Sequence, residues 1–173
     1  RPPGGRAVAE PREALRAIRV RRKVQEQLRR DLAAVRADLE ADGLGAADRA
    51  ALATRADTLA GRIDALPHIK PDGFRAVLPM VPLEREVFAL QAAVWRARGE
   101  PPLRLWTGHR WDPLAPSAEP AAKAAPPALA VHAMQNERRA AVVNLTSAAE
   151  APLAVRLRVT GLPGDAPPAC LHV

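Results

Sequence analysis

Apolar residues recur at three- and four-residue steps early in the chain. Ile18, Leu28, Leu32, Val35 and Leu39 fall on one side of a helix expected over 10 to about 42, with Arg21 and Gln25 as polar interruptions of the same heptad seam. Gly43-Leu44-Gly45 supplies a helix stop and a tight connection. A second helix over about 46–66 places Leu52, Ala56, Leu59, Ile63 and Leu66 on one stripe. Two amphipathic helices joined by so short a loop are antiparallel neighbours, so the pattern predicts a coiled-coil-like helical hairpin closed by Pro67 and Pro71. Each stripe is narrow and Ala-rich. The pair therefore needs a further partner, either the rest of the chain or a second copy.

The texture then changes. Residues 74–78 read as a short extended segment ended by Pro79, and a helix over about 83–98 carries Leu83, Val87, Leu90 and Val94 on one stripe with Phe88 and Trp95 beside it. That helix is broad-faced and expected to be well buried. Gly99-Glu100-Pro101-Pro102 ends it, Leu103-Arg104-Leu105-Trp106 alternates like a strand, and a turn-rich stretch follows through Pro113. Residues 115–128, APSAEPAAKAAPPA, are a Pro/Ala-rich linker. Beyond them the period becomes two: Leu129, Val131 and Ala133 alternate with their neighbours, 140–145 is an apolar run, and Val155, Leu157 and Val159 alternate with polar residues. The knot Gln135-Asn136-Glu137-Arg138-Arg139 reads as a turn or strand entry between two of these strands.

The expected fold class is α+β, an N-terminal antiparallel helical hairpin followed by a partial, truncated antiparallel β-sandwich. Four regions result: 1–70 the hairpin, 71–114 a mixed connecting region with one buried helix, 115–128 the linker, and 129–173 the partial sandwich.

Composition sharpens this outline. Of 173 residues 48% are hydrophobic, yet the chain has no Tyr, two Phe and three Trp, so few large side chains are available for a core. Eighteen prolines exclude a long helix or a central sheet through the middle of the chain. The sequence begins at Arg1 and stops at Cys170-Leu171-His172-Val173, which reads as the opening of a strand, so it is taken as a piece of something longer. No apolar run is long enough to span a membrane.

The net charge of +7 is localised. Residues 1–36 hold 11 Arg or Lys against 4 acids, and the remainder holds 15 of each. Arg19, Arg21, Arg22, Lys23, Arg29 and Arg30 are the set that phosphates would meet. They spread around the helix without interleaved aromatics, so nucleic-acid binding ranks third among the readings.

Little of the sequence matches known chemistry. His68, His109, His132 and His172 share no ligand spacing, and Cys170 with His172 lacks a second pair, so no metal site and no cofactor is expected. Neither a nucleophile elbow nor a phosphate-cradling glycine loop is present. Asp112 and Glu137 are the acids set beside aromatic or amide groups, but an Asp before Pro suits a turn and a Glu beside two arginines suits pairing. Trp106 and Trp111 flank His109, a cluster that would stack on a sugar ring or anchor a core, and packing is the commoner role. Asn144-Leu145-Thr146 is a glycosylation triplet, relevant only in a secretory context.

The stretches "FRAVLPMVPLEREVFALQAAVWRARGEPPLRLWTGHRWDPL" and "LAVHAMQNERRAAVVNLTSAAEAPLAVRLRVTGLPG" resemble the N-terminal, non-catalytic region of large bacterial secreted proteins with a glycoside-hydrolase-like barrel, similar to N-acetylgalactosaminidase-type hydrolases and their relatives. In that resemblance Asn136-Glu137 is a family marker that opens a sandwich strand, and the barrel would lie beyond Val173. It implies a non-enzymatic helical and sandwich segment of an extracellular or periplasmic carbohydrate-active protein, whose partner is the neighbouring domain of the same polypeptide. Carbohydrate contact would fall to Trp106, Trp111 and His109. The alternative is an oligomerisation or protein-interaction module working through the hairpin.

Overall fold

The computed structural model describes residues 11–72, 74–109, 111, 114, 118, 132, 134 and 140–156. Three helices, α1 (Pro11–Glu40), α2 (Ala46–Asp64) and α3 (Pro82–Ala97), precede two strands, β1 (Leu103–Thr107) and β2 (Val143–Ser147). The chain is thus α+β.

Local chemistry explains the boundaries. Pro11 opens α1, where a missing N–H costs nothing, and Gly43, at φ +98°, turns the chain after it. Asp48 in the first turn of α2 and Arg62 in its last complement the helix dipole. The end of α2 leaves carbonyls that need donors. Gln25 of α1 supplies them, its Nε2 donating to Ile63 O at 2.8 Å and to Asp64 O at 3.2 Å. This accounts for one polar interruption of the α1 seam.

α1 and α2 run in opposite directions, since Arg29 pairs with Asp64 at 2.7 Å and, further along α1, Arg36 pairs with the earlier Asp57 at 2.6 Å. The partner that these two Ala-rich stripes require is α3. Leu83, Val87, Leu90 and Val94 join Leu28, Leu32, Val35, Leu39, Leu52, Leu59 and Ile63 in one core. Arg62 near the end of α2 grips Glu86 near the start of α3, one of its two contacts measuring 2.7 Å, while Arg98 past the end of α3 donates to Asp38 O late in α1. α3 therefore runs parallel to α1 and against α2. No helix among the described residues is long and apolar enough to cross a membrane.

One part of the expected α1 seam is displaced. Ile18 is 52% exposed, whereas Ala17 and Val24 are buried at 2% each. The reason is length: α2 ends beside Gln25 and Arg29, so the first half of α1 projects past it and only the side bearing Ala17 is covered. Residues 74–78 form no strand; Phe74 packs on the helical core while Val77 and Leu78 are exposed. Pro79, which lacks a backbone N–H, ends the segment directly after Leu78.

β1 and β2 pair antiparallel, with Leu103 opposite Ser147 and Thr107 opposite Val143. Among the described residues this two-stranded ladder is all the sheet there is. The strand expected over 129–133 apart from His132, the knot at 135–139, nearly all of the 115–128 linker and the chain from 157 onward lie outside the described residues. Val155 is described, exposed and not in a strand.

Candidate functional site

The ladder rests on the C-terminal end of α3. Gly99, at φ +78°, ends that helix, and Pro101-Pro102 lead directly into β1. Arg96 of α3 reaches across to the far end of β2, where Nη1 donates to Ala148 O at 2.6 Å and Nη2 pairs with Glu150 at 3.3 Å. Ala148 N in turn donates to Pro102 O at 3.0 Å, closing the start of β1 against the end of β2. Ala148 is 2% exposed, so this junction is the buried corner of the sheet.

The two faces of the ladder are unlike. One carries Arg104, Trp106, Asn144 and Thr146, all half-buried; Arg104 pairs with Glu100 at 3.0 Å and Trp106 Nε1 donates to Thr146 Oγ1 at 3.0 Å. The other carries Leu103, Leu105, Thr107, Val143, Leu145 and Ser147. Leu105 stands directly opposite Leu145, and they are 45% and 52% exposed. On the first face Arg104, Trp106 and Thr146 have partners, and on the second the exposed aliphatic pair Leu105 and Leu145 lies between half-buried Leu103 and Val143. This inverts the usual arrangement for a one-sided antiparallel sheet, in which the apolar set packs on the core.

The site residues expected from sequence separate under this geometry. Trp106 is held in the half-buried face by Thr146, whereas Trp111 is 77% exposed. His109 is exposed, and its Nδ1 accepts from the Trp111 backbone N–H at 3.4 Å, so these two are brought together while the Trp106 indole N–H is turned to β2. Asn136, Glu137 and Asp112 lie outside the described residues. Asn144 of the glycosylation triplet is half-buried within β2, and Thr146 already takes the Trp106 N–H. Among the described residues no three metal-binding side chains cluster.

The helices hold a further polar pair that hydrophobic patterning passes over. Asp31 of α1 and Glu84 of α3 are 5% and 0% exposed, and Asp31 Oδ2 and Glu84 Oε1 are buried without hydrogen-bond partners. Glu84 reaches back along the start of its helix to accept from Met80 N–H, and Asp31 Oδ1 accepts from Gln27 Nε2 at 2.8 Å. Burial pushes both carboxyls above the ordinary carboxylate range, and the Asp31 charge pushes Glu84 further in the same direction. The available signal was positional: Asp31 sits one turn from both Leu28 and Val35 on the buried side of α1.

Of the basic set, Arg29 is paired with Asp64 and Arg30 donates to Gln27 Oε1 at 2.6 Å. Arg21 is half-buried, and Arg19, Arg22 and Lys23 are exposed. Comparison with protein families, with curated proteins and with solved structures finds no match to this chain.

Proposed function

We propose that this chain is a non-catalytic support module, in which the helices form a platform and the β1–β2 ladder offers its aliphatic face to a neighbouring domain of the same polypeptide. The observation that carries the reading is Leu105 opposite Leu145, both about half exposed and flanked by Leu103 and Val143, on a sheet whose other face is polar and half-buried. A sheet with an apolar face gains by covering it with a second layer, at about 25 cal/mol per Å² of apolar surface removed from water. A sandwich completed by the adjoining domain is one such cover. The likeness of residues 74–164 to the non-catalytic segment of carbohydrate-active bacterial proteins extends the reading to a carbohydrate-active parent, in which the exposed Trp111 ring is the better placed of the two tryptophans for contact with a sugar.

Two measurements on the purified chain test this. Incubation with aryl glycosides is expected to release no phenol, and turnover above a buffer blank overturns the non-catalytic role. Light scattering is expected to find a monomer. A dimer that Leu105→Asp and Leu145→Asp dissolve would make a second copy, not a neighbouring domain, the cover of the face.

A further inference from the structure

The first half of α1 carries a surface of its own. Past the end of α2 its inner side is closed, with Ala17 buried and Val20 half-buried, yet its outer side exposes Leu15 at 54% and Ile18 at 52%. Counting 100° per residue, Arg12, Ile18, Arg19 and Arg22 all project within about 60° of Leu15, while Ala17 lies on the far side. Arg12, Arg19 and Arg22 are exposed, and Glu13 is the lone acid between positions 12 and 23. Leu15 thus sits among the three guanidinium groups and Ile18 at their edge, with Glu26 the next acid on the same face, one turn beyond Arg22.

We infer that this face docks an acidic amphipathic helix of a partner protein, with Leu15 and Ile18 as apolar anchors and Arg12, Arg19 and Arg22 pairing with carboxylates around them. Charge complementarity selects the occupant. Phosphates would use the arginines but leave Leu15 and Ile18 without a role, because nucleic-acid backbones offer them no apolar contact. A membrane surface needs a broader apolar face than two residues provide. A helix with leucines at i and i+3 ringed by glutamates satisfies both components, and guanidinium groups suit carboxylates through two parallel hydrogen bonds. The surface lies on a different element from the β1–β2 face, so it stands or falls independently of the support role.

The test is titration of the chain with a synthetic helical peptide carrying leucine at i and i+3 within a ring of glutamates, followed by fluorescence anisotropy. Saturable binding is expected that weakens with added salt. Leu15→Ser with Ile18→Ser weakens it at least about tenfold, and Arg12→Gln with Arg19→Gln and Arg22→Gln does the same, both at unchanged thermal stability. Absence of saturable peptide binding overturns the inference. So does binding that survives the Leu15/Ile18 change, or tighter binding of mixed-sequence duplex DNA or of phosphatidylglycerol vesicles than of the peptide.

Discussion

Glu84, at the third position of α3, and Asp31, in the second half of α1, each bury a carboxylate oxygen that has no hydrogen-bond partner, and the charge of Asp31 acts on Glu84. The groups around them are few. Gln27 and Arg30 favour ionised Asp31 from its own helix, and the Met80 N–H favours ionised Glu84, but burial outweighs all of these. Folding therefore holds protons on this pair more tightly than the unfolded chain does.

The pH consequence follows in sign from that retention. Carboxyls raised by folding contribute stability that is fully present below their unfolded values, near 4, and is lost as pH rises through their folded values, by about 1.4 kcal/mol for each pH unit of elevation. Glu86 works the other way: its hydrogen bond to Arg62 lowers it, so its contribution is present above the ordinary range and is lost in acid. Above the ordinary carboxylate range the Glu86 contribution is constant, so the further change expected from these carboxyls is the loss at the buried pair. Thermal melts of the parent chain are expected to fall as pH rises above the ordinary carboxylate range, and Asp31→Asn with Glu84→Gln to flatten the fall. A parent profile that rises with pH would contradict the assignment.

The register of α1 sets a second expectation. Leu28 is 0% exposed in the shared core while Ile18 is 52% exposed on the projecting half. Leu28→Ala is expected to cost about 3 kcal/mol in urea unfolding, and Ile18→Ala less than about 0.5 kcal/mol. Equal costs would restore the seam read from spacing alone.

That contrast shows how far the sequence carried. The stripes of α2 and α3 appear in the fold with the residues that spacing selected, Leu52, Ala56, Leu59 and Ile63 on one and Leu83, Val87, Leu90 and Val94 on the other. Both helices lie against neighbours along their length, so periodicity alone fixes the buried side. For α1 it does not, because which part of α1 lies beside the end of α2 depends on how the two helices align, seen in Gln25 donating to Ile63 O 38 residues away in sequence. The first strand was visible as the alternation of 103–106 and the second only in part, as the end of the apolar run 140–145, but neither pattern says which side is covered. That choice came from Trp106 finding Thr146 and Arg104 finding Glu100. Trp106, His109 and Trp111 were legible as neighbours along the chain. Their unequal exposure was not, since it depends on a strand nearly 40 residues further on.

Arg96 provides the mechanical link between helices and sheet. Its donation to Ala148 O and its pairing with Glu150 hold the end of β2 to α3. Arg96→Met keeps the aliphatic stem and removes both contacts. Hydrogen–deuterium exchange is expected to accelerate through 143–148 while α1 and α2 keep their protection. Uniform acceleration across all three helices would mean that the sheet is part of the cooperative core.

The support role rests on the aliphatic face of the ladder being uncovered in this chain. Replacing the facing pair by Leu105→Lys with Leu145→Glu puts opposite charges where two exposed leucines stood, and urea unfolding reads the cost directly. The account predicts a change below about 0.5 kcal/mol together with loss of hydrophobic-dye binding to the sheet; a destabilisation above about 2 kcal/mol would show that the chain already buries this face, and would contradict it.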